Sequence, residues 1–390
     1  MNLNSWPSFN IEQQEIVKDI LNSGNVNYLY GSEGKNFEKE FSNYFGLKYS
    51  ICFSNGTTAL YSAYKALDLG KGDEFITTPR TFIATISSAV LLGAKPIFAD
   101  VDLNSGCITA ESIEPLITKK TKAICVVHLG GWPAEIDKIR DLAKANNIYL
   151  VEDCSQAHGA KFKGFDVGTF GDISVWSFCT DKIISTGGEG GMVSTNSEKL
   201  FNFMWSFKDH GKSLKKFKNI NNSSKFQFLH DEFGLNFRMT EIQSALGRYQ
   251  LKYLHKYIQE RNKNASILKN YLRDINCIRI PIYDKNIYHA YYKFYAYLKK
   301  DFLLSDWDKS KIINEIRNSG FPCFEGSCSE VYLERCFKKN GLIPKQRLPN
   351  AMNLGEDSLM FLVHPTITES QMHLYGETVR SILIKACYEI

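Results

Sequence analysis

A chain of 390 residues exceeds what one hydrophobic core usually supports, so two domains are expected. Its 44% hydrophobic and 23% charged content is that of a soluble globular protein and excludes fibrous or largely disordered classes. A net charge of +5, from 47 basic and 42 acidic residues, is too mild for a nucleic-acid binder.

In chain order, residues 11–45 read as helical, broken near Gly24 and Gly31. Tyr49–Phe53 is a strand candidate, and Thr57–Leu67 a helix with Leu60, Tyr64 and Leu67 on one face. Glu74–Thr78 is the next strand, Thr81–Leu92 a helix, and Lys95–Val101 a strand. Ala123–Leu129, Ala134–Ala145 and Ile148–Asp153 form a βαβ unit, and the run Gly171–Trp176 is strand-like. Residues 211–230 read as an exposed loop; Lys212, Lys215, Lys216 and Lys218 form either a solvated face or a lid that attracts a diphosphate. Thr240, with Gln243 three residues later, is a capping box that opens a long helix through Leu254. Beyond it, Tyr291–Leu298 reads as a strand, and Ser310–Ser319 and Glu369–Lys385 as helices. The alternation predicts an α/β large domain over 1–250, a mainly parallel sheet flanked by helices, and a smaller α+β domain over 251–390.

The longest apolar stretch, around Phe82 to Ala94, stops at Lys95-Pro96 and is too short to span a bilayer. The ten cysteines are scattered. Cys323, Cys328 and Cys336 lack C-x-x-C knuckles and a nearby His, so reduced thiols are expected rather than a metal site. Reduced thiols and a start without a basic or apolar leader point to the cytoplasm.

The residues able to carry chemistry follow one order. Asp153 ends an apolar strand, where open α/β sheets bind ligands. Lys182 follows it in a loop that runs into Gly187-Gly188-Glu189-Gly190-Gly191. That pair is what pyridoxal 5′-phosphate (PLP) chemistry requires: a lysine to hold the aldehyde and a carboxylate to keep the pyridine nitrogen protonated. Ser54-Asn55-Gly56-Thr57 lies between strand and helix, so Gly56 and Thr57 can bind a phosphate at the helix start. Ser177 can add its hydroxyl to that phosphate, Gln156 can bond a ring oxygen, and Phe82 can stack on the ring. Taken singly, each has an ordinary structural alternative, namely a cap, a surface lysine or a core Phe. His158 in such a loop is more often structural.

This order resembles the DegT/DnrJ/EryC1/StrS family of PLP-dependent sugar aminotransferases, from about residue 11 to the C-terminus. The stretches that carry the resemblance are Ser54–Leu60, Thr78–Thr85, Val127–Pro133, Glu152–Ala160, Ser177–Gly191, Phe233–Gln250 and Leu348–Pro365. It implies the type I PLP-transferase fold of aspartate aminotransferase. It also implies Lys182 as the Schiff-base lysine and Asp153 as the pyridinium partner, with Gln156 on the ring oxygen and Phe82 on the ring face. Gly56, Thr57 and Ser177 match phosphate ligands, and Asn236 matches one that arrives from the other subunit of a homodimer with a shared active site. The reaction implied moves an amino group from L-glutamate to a nucleotide-linked 3- or 4-keto sugar, as in amino-sugar and polysaccharide biosynthesis. The rivals are a sugar dehydratase of the same family, which carries His at the lysine position, and a non-catalytic relative. Two stretches depart from the family pattern: the Lys182–Glu189 run is one glycine longer, and Phe321–Ser327 replaces a segment often richer in His and Tyr.

Overall fold

A computed structural model describes residues 3–220 and 226–388. The N-terminal helices α1 (Ile11–Ser23) and α2 (Glu33–Phe45) lead into β1 (Tyr49–Phe53), α3 (Gly56–Ala66), β2 (Glu74–Thr77), α4 (Ala84–Val90) and β3 (Lys95–Phe98). The short α5 (Ala110–Ile113) precedes β4 (Thr121–Val127), α6 (Ile136–Ala145) and β5 (Tyr149–Asp153). A small hairpin, β6 (Lys161–Phe162) and β7 (Phe165–Asp166), comes before β8 (Ile173–Ser177) and β9 (Gly191–Thr195). Then follow α7 (Glu198–Lys208), α8 (Leu214–Lys218) and the 32-residue α9 (Glu241–Leu272). The remainder comprises β10 (Ile278–Arg279), β11 (Ile287–Tyr288), β12 (Phe294–Leu298), α10 (Lys309–Asn318), α11 (Arg335–Lys339), α12 (Pro349–Asp357), β13 (Ser358–Phe361) and α13 (Glu369–Ala386).

The main sheet has seven strands in the order β1-β9-β8-β5-β4-β2-β3. Only β9 runs against its neighbours. The other strands are parallel and covered on both faces, which is why they read as near-continuous apolar runs. This direction puts the ends of β1, β5 and β8 at one edge. Asp153 pairs with Val175, and Gly191, where β9 begins, pairs with both Ser177 and Phe53. The turn after β1, the end of β5 and the whole lysine loop therefore meet at one rim.

A second core lies under the three-stranded sheet β10-β12-β13, closed by α10 and α13. Helix α9 serves both cores. Leu251, Leu254 and Ile258 pack with the large unit, while Ala265, Leu268 and Leu272 pack with the small one. The expected division at residue 250 thus falls inside one continuous helix. Leu3 packs against the small-unit core as well.

The Thr240 capping box is present, with both reciprocal bonds to Gln243. Glu241, next to it, is buried and caps a different helix. Its carboxylate accepts from the backbone N–H of Glu33 at 2.6 Å and of Gly34 at 3.0 Å, where the α2 cap residue Ser32 makes no side-chain bond. We expect Glu241→Ala to lower unfolding free energy by about 3 kcal/mol, since two charge-assisted bonds vanish in a buried place. Urea denaturation measures this, and a loss within about 0.5 kcal/mol would show that water replaces the carboxylate.

Several expectations need correction. The helix expected from Thr81 starts at Ala84, because Pro79-Arg80 forms a turn in which the Arg80 N–H donates to Thr78 Oγ1 at 3.1 Å. Strand β3 ends at Phe98, with Val101 forming only a bridge to Ile108. The basic loop contains α8, capped by Ser213, and two of its lysines are paired, Lys212 with Asp209 at 2.9 Å and Lys216 with Asp231. Residues 221–225 of that loop lie outside the described residues. The cysteines are not all reduced: Cys277 and Cys387, 110 positions apart, form a disulfide where the end of α13 meets the start of β10. No local spacing reveals such a pair. Among the described residues, no helix is long and apolar enough to cross a membrane.

Candidate active site

The rim where the strand ends meet borders a cavity of about 960 Å³, closed on the far side by the small unit. Gly56, Thr57, Phe82, Asp153, Gln156, Ser177 and Lys182 all line it. At one pole, α3 points its N-terminus inward. Asn55 caps this helix, its side chain accepting from Thr58 N–H at 2.9 Å, so the Thr57 hydroxyl is free of the capping role a βα turn could have given it. A Cβ on Gly56 would approach Ser177 Cβ to 2.9 Å, so only glycine allows the helix start and Ser177 to sit side by side. This pole offers N–H groups, hydroxyls and a helix dipole to an anion.

At the other pole lies Asp153, 4% exposed. It accepts from the Thr85 hydroxyl at 2.8 Å and from Ser155 N–H at 3.1 Å, and Thr85 is bonded in turn to Thr81 at 2.9 Å. The carboxylate is thereby fixed in direction. The neighbouring Glu152 points the opposite way and is fully engaged: it accepts from Gly168, Phe170 and Gly171 N–H and pairs with His128 at 3.1 Å. His128 Nδ1 accepts from Ala134 N–H at 3.1 Å. His128, Glu152 and Cys154 lie close enough to hold a metal, but the imidazole nitrogens of His128 and the carboxylate of Glu152 are engaged in this network, which makes the pair a structural brace beside Asp153. Gln156 is oriented by Gly130 N–H, which donates to its oxygen at 2.8 Å. Phe82 is 68% exposed at the cavity mouth, an unusual place for a core residue.

Lys182 lines the same cavity, its Nζ 4.8 Å from the centre of the Tyr292 ring. Its carbonyl accepts from Trp6 Nε1 at 2.8 Å, which ties the N-terminal segment to the loop. Tyr292 donates to Asp181 at 2.6 Å, and Lys293 pairs with the same carboxylate at 3.1 Å. Thr85, Tyr292 and Trp6 were missed from the sequence. Thr85 was legible as an i+4 partner of Thr81, whereas the other two come from more than one hundred residues away along the chain. Asn236 is the one predicted residue absent from the cavity lining; it is exposed, and its backbone bridges to that of the buried Asp209.

Burial depresses the pKa of His158, packed between Trp176 and Phe178, to about 3, and Lys182 and Arg261 add to the effect. Burial lowers His289 to about 3, and burial with Arg261 and Lys293 does the same to His364. Folded, these imidazoles stay neutral; unfolded, they take protons below their ordinary value of 6.5. The unfolded state then binds more protons, so stability is whole above about pH 6.5 and falls as pH drops toward 3. We expect a lower urea midpoint at about pH 5 than at about pH 7.5, and His158→Phe should reduce the difference. An unchanged midpoint would mean these rings are charged in the fold.

Comparison with known proteins gives the chemistry its context. The model of the DegT/DnrJ/EryC1/StrS aminotransferase family matches residues 7–380. The chain belongs to this family. It is a PLP-dependent sugar aminotransferase with the type I fold. It is 37% identical to a GDP-perosamine synthase of Escherichia coli O157:H7 over 286 residues, 73% of this chain and 75% of that one. It is 32% identical over 336 residues to a dTDP-3-amino-3,6-dideoxy-alpha-D-galactopyranose transaminase of Aneurinibacillus thermoaerophilus, 82% of this chain and 88% of that one. The solved aminotransferase from Psychrobacter cryohalolentis superposes with a TM-score of 0.96 at 47% identity, covering 98% of this chain and 99% of that one.

The cavity fits the cofactor. Its helix N-terminus with hydroxyls, its oriented buried carboxylate and its lysine are the donor set that the phosphate, the pyridine nitrogen and the aldehyde of PLP require.

Proposed function

We propose that this aminotransferase moves an amino group from L-glutamate to a nucleotide-linked 3- or 4-keto hexose, giving the nucleotide-linked amino sugar. The observation that carries the reading is the convergence of Lys182, Asp153 and the α3 N-terminus on one cavity. Bound PLP supplies an electron sink that carries the amino group between two half-reactions. Lys182 anchors the aldehyde carbon. Released by the donor amine, its Nζ would serve as the base that takes the proton from the donor α-carbon and as the acid that returns it. With the sugar, the same nitrogen works in the opposite sense. Asp153 keeps the ring nitrogen protonated, and Thr85 keeps Asp153 aimed. Phe82 would cover one ring face and Gln156 would meet the ring oxygen, while Gly56, Thr57 and Ser177 would hold the phosphate.

Asn236 completes the phosphate site of a second copy in a homodimer. Its exposure outside its own cavity supports this, as does the full exposure of Phe233 nearby. Asn236→Asp would set a negative charge against the phosphate. We expect a drop in PLP affinity of about tenfold by equilibrium dialysis, with thermal stability of the apoprotein unchanged. Sedimentation showing a monomer, or unchanged affinity, would remove Asn236 from the site.

The test of function is to incubate the PLP-loaded enzyme with nitrogen-labelled glutamate and a panel of nucleotide keto sugars. Label in an amino sugar, detected by mass spectrometry, supports the proposal. Transfer from another amino acid would correct the donor alone.

A further inference from the structure

In the reaction proposed above, Lys182 has to leave the cofactor and return to it in every cycle. A lysine carries its charge on a flexible four-carbon stem, so a strong partner nearby can draw it away from its work. The nearest such partner in sequence is Asp181, which lines the same cavity. The fold gives that carboxylate other partners. Its Oδ2 accepts from the Tyr292 hydroxyl at 2.6 Å and pairs with Lys293 Nζ at 3.1 Å. Lys182 Nζ lies instead over the Tyr292 ring, 4.8 Å from its centre. An aromatic face holds a cation more loosely than a carboxylate does, which suits a nitrogen that must come and go.

Tyr292 is fixed from several directions. It is 7% exposed and belongs to the large-unit core with Leu254 and Ile258 of α9. Its segment, just ahead of β12, docks on the Gly130-Gly131 turn. Ala290 N–H donates to the Gly131 carbonyl at 2.9 Å, and Lys293 N–H to that of Gly130 at 3.2 Å. Gly131 has φ +95°, and a Cβ there would come within 2.9 Å of the Tyr292 nitrogen, so glycine permits the contact. The same turn orients Gln156. Arg261 Nη1, from α9, donates to the Tyr292 carbonyl at 3.1 Å. Arg261 is itself 1% exposed, and its Nε and Nη2 find no partner among the described residues. Trp6 lies over that guanidinium at 5.4 Å and donates through Nε1 to the Lys182 carbonyl. One frame of Trp6, Arg261 and Tyr292 therefore holds both the backbone and the amine of Lys182. Packing alone would suffice for a ring that only fills the core. This one is tied at hydroxyl and carbonyl, with its face under the reacting amine.

We propose that Tyr292 is a positioning residue for catalysis: its ring holds the Lys182 amine whenever that amine is not bonded to the cofactor, and its hydroxyl, with Lys293, keeps Asp181 from capturing it. This rests on the aminotransferase reading above and adds a residue that acts through Lys182 rather than on the cofactor.

The test uses the full-length enzyme loaded with pyridoxamine phosphate, the amino form of the cofactor, in which the lysine amine is not bonded. Lysines are carbon-labelled at Cε, and Lys182 is assigned by the signal missing from Lys182→Ala. In the wild type its Hε protons should resonate upfield of those of exposed lysines, shifted by the ring current. Tyr292→Phe keeps the face and loses the bond to Asp181, so the shift should persist. Tyr292→Leu should abolish it. Turnover should follow the face: kcat falls about tenfold in Tyr292→Leu and about threefold in Tyr292→Phe, with both KM values changed less than about threefold. Should Tyr292→Leu not fold, the wild-type signal and Tyr292→Phe carry the same test. An unshifted Lys182 signal in the wild type, equal kcat losses in the two variants, or an unchanged kcat in Tyr292→Leu overturns the proposal and leaves the functional reading standing. So does a loss confined to KM, which would make Tyr292 a substrate contact. A wild type that accepts no amino donor overturns the functional reading, and this proposal with it.

Discussion

Replacing Lys182 by Ala is expected to lower turnover by about 10³-fold, because in the proposed mechanism one side chain supplies both the covalent anchor and the proton carrier. Folding should survive. Lys182 is partly exposed in a loop, its side chain lies over the face of Tyr292, and the backbone bond from Trp6 to its carbonyl does not depend on the side chain. A readout independent of turnover is borohydride reduction with PLP followed by peptide mass mapping. The wild type should carry the cofactor mass on the peptide containing Lys182, and the variant should carry none. Retention of more than about a tenth of wild-type activity, or label on another lysine, would displace Lys182 from the centre of the mechanism.

Asp153→Ala is expected to keep some cofactor and lose most turnover, by about 10²- to 10⁴-fold. Removing one partner of a buried charged pair costs about 3–5 kcal/mol, and each 1.36 kcal/mol is a factor of ten in rate. A companion variant separates charge from architecture. Thr85→Val deletes the 2.8 Å bond that orients Asp153 but leaves the carboxylate, so its loss should be much smaller. Near-normal turnover in Asp153→Ala would refute the assignment. Equal losses in the two variants would mean that orientation, not charge, is the contribution of Asp153.

Much of the site was legible because its residues lie at strand ends, and strand ends are readable. Apolar runs bounded by turn residues mark β1, β5 and β8, and a parallel sheet forces their carboxyl ends to one rim. Gly56, Asp153, Ser177 and Lys182 therefore fall together once the strands are placed. The elements least legible were those governed by side-chain partners rather than by period. The start of α4 was misplaced because the Arg80–Thr78 turn delays it. The cap of α2 could not be read at all, since Glu241 supplies it from more than two hundred residues away. The same holds for the Cys277–Cys387 link.

By itself, then, the sequence determined the alternating α/β chain and singled out Asp153 and Lys182, which the fold brings to one cavity. These depend on local patterns: hydrophobic period, caps and glycine turns. Tertiary structure alone decided what surrounds them. Tyr292 beneath Lys182, the N-terminal segment held against its loop, and Arg261 with an unpaired buried edge arise where segments remote in the chain pack together. Such contacts leave no trace in local composition, because burial and missing partners are properties of the packed molecule.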